Sequence, residues 1–260
     1  MIRALEDLSS LEKLSLVDMS YSRINTYSMC PAKYFYSYVV KEPQSFSAPA
    51  ALGNIVHDVL EDHVGDDLSY KEMALTFERY RAVYDPQGQI GPDLIDVAYS
   101  MLSEYVDRHD GDDVEVLAKE KEFSIVIGPA FVRGFIDRID KLDESSLHIL
   151  DYKTGKFEET KVKDNLQLGI YVLACSFLYP EISTFRADLY YLRSGKRKGH
   201  LFTREDLPDL ERRVIESIYQ IINDTQFRTT NNVRICSFCE HASSGVCRFG
   251  TVQKNKMRRY

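Results

Sequence analysis

Between Val114 and Thr154 the chain leaves helical spacing for an alternation of period two, and everything else must pack around that stretch. VEVLAKEKEFSIVI, FVRGFIDRIDKL and LHILDYKT read as three strands joined by the turns GPA and DESS. Helices precede them. Ser20 is placed to cap a helix that runs through Ile24 and Tyr27 into CPAKYFYSYVV and stops before Pro43. GNIVHDVLEDH (53–63) reads as a helix with Ile55, Val56, Val59 and Leu60 on its buried side, followed by helical segments at 70–83 and 92–108. Beyond the strands come a helix at 164–178, strands near 186–193 and 199–203, and a helix at 206–223. This order predicts a mixed α/β core, a central sheet wrapped by helices. The divisions expected are a leader at 1–19, with leucines at 5, 8, 11, 14 and 16; a helical region at 20–112; a core at 113–225; and a cysteine-bearing segment with a basic tail at 226–260. Residues 20–260 are expected to form one compact domain.

Composition narrows the function classes. With 44% hydrophobic and 28% charged residues the chain is neither disordered nor fibrous. Its longest apolar run, from Gly169 to Tyr179, is far shorter than the ~20 residues of a membrane-spanning helix. The start, MIRALEDLSS, lacks the apolar core of a secretory signal. Five cysteines, an odd number in a chain this large, argue against a disulfide scaffold and for a reducing, cytoplasmic setting with some thiols on a metal. The net charge of −7 does not exclude nucleic acid, because binding follows local potential. Two basic clusters stand out, Arg193 to Lys198 and the tail from Arg248 to Arg259.

The chemistry is concentrated in GFIDRID and ILDYKTG. Asp137 and Asp151 are symmetric about residue 144, inside the turn Asp143-Glu144-Ser145-Ser146. An antiparallel hairpin therefore sets them opposite each other, with Cβ atoms ~4.5–5.5 Å apart. Alternation puts Lys153 on the face of Asp151 and turns Tyr152 away. Two carboxylates in contact repel unless a cation joins them, and hard oxygen donors suit Mg²⁺ or Mn²⁺. Such a site favours metal-assisted attack of water on a phosphodiester, with Lys153 meeting the negative charge that develops. The bland alternative is a surface hairpin with a Lys–Asp salt bridge. Ile136, Ile139, Ile149 and Leu150 speak against it by placing the acids at the edge of a core.

With the other blocks, these residues resemble the PD-(D/E)xK nuclease superfamily in its RecB/AddB-type exonuclease branch. SYSRINTYSMCPAKYFYSYV is similar to that branch's opening segment, GNIVHDVLE to its histidine helix and QLGIY to its Gln-x-x-x-Tyr motif. Each motif is short, but five stand in the expected order across residues 20–247. The resemblance implies a restriction-endonuclease-like core and metal ligands at His57, Asp137, Asp151 and the Tyr152 main-chain carbonyl. It implies a catalytic Lys153 and DNA contacts from Gln167 and Tyr171, which at i and i+4 share a helix face. Glu120 and Glu122 alternate along the preceding strand, where one of them could face the site, but both are expected to be mostly solvated.

Cys236-Ser237-Phe238-Cys239 is a chelating spacing, Cys247 follows a Gly-containing loop, and Cys30 is the candidate fourth ligand far upstream. Four thiolates suit structural Zn²⁺ or an iron–sulfur cluster, and His241 leaves a Cys₃His zinc site open. The resemblance implies the cluster, [4Fe–4S]. Cys175, amid Ala174, Phe177 and Leu178, reads as a buried hydrophobe. The function expected is that of a metal-dependent DNA exonuclease acting on single strands or free ends in recombination, repair or phage DNA metabolism, with a helicase as partner and no membrane. Its rivals are a CRISPR-associated exonuclease trimming DNA for integration and a non-catalytic DNA-end-binding scaffold.

Overall fold

A computed structural model describes residues 2–3, 9, 15–65, 69–109, 114–157 and 162–250. The leader leucines at 5, 8, 11 and 14, and the basic tail beyond Gly250, lie outside the described residues.

Among the described residues six strands form one mixed sheet: β1 (Val17–Met19), β2 (Glu115–Ile127), β3 (Ala130–Asp143), β4 (Ser146–Lys153), β5 (Thr184–Tyr191) and β6 (Lys196–Thr203). Their order is β1-β3-β4-β5-β6, with β2 also paired to β3. β4 and β5 run parallel, so the chain must cross over between them, and helix α5 (Leu166–Leu178) makes the crossing. That helix is apolar nearly all round, and Gln167 to Ser176 are all buried. It packs on one face of the sheet with α1 (Tyr21–Met29) and α6 (Leu207–Ile222), against Ile125, Val132, Ile149 and Ala187. The other face meets α2 (Ala48–His63), α3 (Tyr70–Tyr84) and α4 (Pro92–His109), whose Val56, Phe77 and Tyr105 close on Leu150, Tyr152 and Tyr190. Ile149 and Leu150 thus serve different cores, as strand alternation requires.

Two expectations need correction. The N-terminal helix does not run from Ser20 toward Pro43. Ser20 does cap it, accepting from Arg23 N, but Cys30 is extended at φ −163° and ends it. The residue before a proline is pushed out of the helical region, and Pro31 follows. The chain resumes as a turn of helix (Pro31–Tyr34) and a π-helix (Phe35–Val40). The second correction is β1. This three-residue strand, read as leader, pairs in parallel with Ala130 to Val132.

Beneath the helical face of α4 lies a buried ionic chain. Arg138 holds Asp140 at 2.6 Å, and Asp188 accepts from His148 and Arg186, each at 2.8 Å. Gly199 makes room for it, since a Cβ there would stand 1.4 Å from Asp188 Oδ1 and 2.4 Å from the Ala187 carbonyl. Burial works to raise the Asp188 pKa, but the His148 hydrogen bond and the Arg186 charge outweigh it and hold the carboxyl below its ordinary value of 3.8. A depressed carboxyl stabilises the fold above its unfolded pKa, and that stabilisation is lost as pH falls through the folded value. Asp188→Asn should therefore flatten the acid limb of a stability–pH curve below about pH 4. Gly199→Ala should cost about 3 kcal/mol in urea unfolding. Wild-type stability in the Gly199 variant would show that β6 and Asp188 are not packed as described.

Candidate active site

Strand β3 is longer than its neighbours, and this opens the site. On one edge it pairs with β1 at 130–132 and with β4 from Arg138 onward. Between those points residues 133–137 carry no strand on that edge among the described residues. The registers Ile139↔Ile149 and Arg138↔Leu150 project Asp137 opposite Asp151, as the hairpin symmetry predicts. Instead of a ladder bond, the Asp137 carboxylate itself takes the Tyr152 N–H at 2.6 Å. Lys153 Nζ stands 2.6 Å from Asp151 Oδ2, so the two side chains share a face.

His57 enters from α2. Its Nε2 is 3.1 Å from the Tyr152 carbonyl, and its Nδ1 is 3.5 Å from Asp137 Oδ2 and 3.8 Å from Glu120 Oε1. The expected metal ligands His57, Asp137, Asp151 and the Tyr152 carbonyl thus come together with Lys153, and the structure adds Glu120. Glu120 is not a solvated strand residue. With His57 and Asp137 it forms the single three-ligand group within 4.8 Å among the described residues. The β2–β3 hairpin register, Lys119↔Arg138 and Lys121↔Ile136, projects Glu120 opposite Asp137. Glu120 has φ 41°, a left-handed conformation that costs a non-glycine residue energy and that clusters at functional sites.

The electrostatics follow from crowding acids out of water. Burial raises the Asp151 pKa to about 6, and the Asp137 charge adds to it against the pull of Lys153. His57 goes the other way. Burial lowers its pKa, but the Asp137 and Glu120 carboxylates outweigh that and push it up to about 10. Burial likewise opposes the Lys153 charge, and Asp151 overrides it. Asp151 Oδ2 is buried, and among the described residues its one polar partner is the Lys153 ammonium at 2.6 Å. A hard oxygen with free lone pairs, beside two more carboxylates, an imidazole and a peptide carbonyl, is a donor set that fits Mg²⁺ or Mn²⁺.

Gln167 and Tyr171 do share a helix face, but it is a buried one. Gln167 Oε1 accepts from Lys153 Nζ at 2.8 Å, and Gln167 Nε2 donates to the Tyr171 hydroxyl at 3.0 Å. Behind the sheet the Tyr152 hydroxyl meets that of Tyr105 at 3.1 Å, which accepts from Arg138 at 3.0 Å, so the Tyr152 peptide is anchored from its far side. A cavity of about 480 Å³ opens at the unpaired edge of β3, lined by Ser20, Tyr21, Arg133, Phe135, Gln167 and Tyr171.

The break at Cys30 turns that residue toward the other end of the chain. Cys30, Cys236, Cys239 and Cys247 line one pocket, with His241 in its wall. His241 Nε2 is 2.9 Å from Ser37 Oγ on the π-helix. Thr230 N–H donates to Cys30 Sγ and Gly250 N–H to Cys247 Sγ, both at 3.4 Å. Cys175 is wholly buried in the sheet core, and burial pushes its thiol pKa well up.

Similarity to known proteins bears on the family and the fold. The family model of the PD-(D/E)XK nuclease superfamily matches residues 18–248. Among curated proteins, a subunit of the ATP-dependent helicase/deoxyribonuclease of Clostridium perfringens is 26% identical over 198 residues, 60% of this chain and 17% of that protein. Its namesake in Streptococcus equi subsp. zooepidemicus is 27% identical over 225 residues, 80% of this chain and 19% of its own. The chain therefore spans less than a fifth of the length of these relatives. A solved structure from Eubacterium rectale, carrying a provisional exonuclease name, superposes with a TM-score of 0.53 at 12% identity, covering 95% of this chain and 92% of its own. That likeness concerns the fold. With its mixed sheet between helices and its family match over most of its length, the chain belongs to the PD-(D/E)XK nuclease superfamily.

Proposed function

We propose that the chain is a metal-dependent DNA exonuclease that hydrolyses phosphodiester bonds at DNA ends. The observation that carries this reading is the convergence of Asp137, Asp151 and Lys153 with His57 and the Tyr152 carbonyl. His57, Asp137, Asp151 and the Tyr152 carbonyl would hold Mg²⁺ or Mn²⁺, with Glu120 as a further ligand. When bound, such an ion lowers the pKa of water and polarises a phosphoryl oxygen. The chain's own residues supply position. Lys153 orients the attacking water and meets the negative charge on the phosphoryl group, while Gln167, held by Tyr171, fixes the Lys153 ammonium. Gln167 and Tyr171 also line the cavity at the β3 edge, from which they would contact DNA.

The names of the relatives support DNA as substrate and a helicase as partner, in recombination, repair or phage DNA metabolism. We place this activity in the cytoplasm, and among the described residues no helix is long and apolar enough to cross a membrane. Residues 20–260 are read as one domain. All of the reacting groups are present, which disfavours a non-catalytic scaffold.

The four cysteines are assigned to a [4Fe–4S] cluster. The four thiols line one pocket, so a single group could tie the two ends of the chain together, with structural Zn²⁺ as the alternative occupant. The two N–H donors on Cys30 and Cys247 also suit sulfurs that carry negative charge.

Cleavage of end-labelled DNA with Mg²⁺ or Mn²⁺ tests the first assignment. Asp151→Ala and Lys153→Ala should each lower the rate on the order of a thousandfold while DNA affinity stays within about threefold. Mn²⁺ should raise the melting temperature of wild type but not of Asp151→Ala. His57→Ala should raise the Mn²⁺ concentration needed by at least about tenfold. Wild-type cleavage by both Asp151 and Lys153 variants would remove the site.

The cysteines call for a separate measurement, iron and zinc per chain in all five Cys→Ser variants. Iron should be lost from the Cys30, Cys236, Cys239 and Cys247 variants, with stability lost alongside it. Cys175→Ser should keep its metal. Zinc in place of iron, or full metal in Cys30→Ser, would overturn the cluster.

A further inference from the structure

The basic hairpin between β5 and β6 is not used by the site described above, yet it lies on the same face of the sheet. Lys153 pairs across to Tyr191, and Tyr191 pairs on to Lys196. One row along, Asp151 pairs to Leu189, and Leu189 to Lys198. Residues opposite one another in a sheet share a face, and strands are ~4.8 Å apart. Lys196 and Lys198 are therefore two strands, about 10 Å, from the Lys153 and Asp151 backbone, on the same side. Arg197, one residue out of phase, points to the opposite face, where its guanidinium lies 4.7 Å from the Tyr190 ring.

The loop that leaves the catalytic strand spans this gap. Arg193 Nε donates to the Thr154 carbonyl at 2.6 Å. The Phe157 ring packs on Tyr191 at 5.0 Å, and the ammonium groups of Lys196 and Lys198 lie 4.8 and 5.9 Å from its centroid. Two like charges are thus held around one aromatic ring. Among the described residues neither has a carboxylate partner. The acid in the nearby turn at 162–164, Asp164, lies 4.0 Å from Arg213.

We propose that Lys196 and Lys198, seated on Phe157, hold the phosphate backbone of the DNA strand beside the bond being cut. The proposal rests on the nuclease reading above and adds the surface along which the strand runs. A polyanion supplies counter-charge to both, and a row of ammonium groups suits a backbone, which is contacted without regard to sequence. β6 is also an edge strand, and lysines on an edge discourage pairing with another chain. That role needs charge on the edge but no alignment with Lys153.

The two roles separate experimentally. The probe is a single-stranded oligonucleotide, bound to the Asp151→Ala protein over a range of salt concentrations so that no cleavage intervenes. Each phosphate contact contributes ~0.7 to the slope of log affinity against log salt on single strands, so Lys196→Ala/Lys198→Ala should lower the slope by about 1.4. In the otherwise wild-type enzyme the same pair should raise KM on the order of tenfold and leave kcat within about twofold, because the lysines bind without touching the reacting atoms. Lys196→Arg/Lys198→Arg should restore both. An unchanged slope and KM, in an enzyme that cleaves normally, would overturn the proposal. Aggregation of the alanine variant with an unchanged slope would assign the lysines to edge protection and overturn it equally. Failure of the nuclease reading looks different, since wild type would then cleave no DNA at all.

Discussion

Three carboxylates are gathered where β3 lacks a partner on one edge among the described residues, Glu120 and Asp137 around His57, and Asp151 beside Asp137. Taken out of water, they repel, and the rest of the site is arranged around that repulsion. Burial and the Asp137 charge raise Asp151 to about 6, while Lys153 and His57 supply the positive charge that keeps the group together. His57 answers most strongly, its pKa near 10 because two carboxylates reach its ring against the opposing effect of burial. A divalent cation would satisfy the same acids and displace that proton. The acids are thus tolerable only beside cations, and the fold keeps two of its own there.

Holding these groups needs support from behind the sheet. The Tyr152 peptide is the pivot, because its N–H goes to Asp137 and its carbonyl to His57. Its side chain points into the opposite core, where the Tyr105 hydroxyl and Arg138 fix it. Strand alternation therefore gives the residues from Asp137 to Asp140 and from His148 to Asp151 two uses. One face carries the acids of the site, and the other carries a buried ionic chain that closes through Arg186 and Asp188. A buried chain of this kind tolerates little change in packing, which is why β6 has glycine at 199.

Much of this was legible in the sequence where local rules govern. Hairpin symmetry about residue 144 set Asp137 against Asp151, and the register Ile139↔Ile149 has the same midpoint. The same construction about the GPA turn was available for Glu120, but a charged residue in the alternating run KEKEF reads as solvent-facing. Its left-handed backbone, which departs from regular strand geometry, left no mark in the sequence. Gln167 and Tyr171 were placed on one face correctly, but the apolar girth of α5 buries most of that face and leaves it open only toward the cavity at the β3 edge. The strand at 17–19 was illegible for another reason. Three residues pairing in parallel with a strand more than a hundred residues away carry no periodicity of their own.

Cys30 shows how a local rule reached across the molecule. Pro31 forces it out of the helical region, and the resulting break aims its sulfur at the segment from Thr229 to Gly250. The π-helix that follows brings Ser37 to His241 and Tyr36 against the same ring, 5.4 Å between centroids. The helix before the break, α1, presents Ser20 and Tyr21 to the groove beside Gln167 and Tyr171. One short helix therefore joins the cysteine pocket at its C-terminal end to the groove wall at its N-terminal end. Both ends of the chain thus meet beside α1, whose own position is also held by Ile24 in the sheet core and by the Tyr27 hydroxyl donating to Asp224 at 2.9 Å.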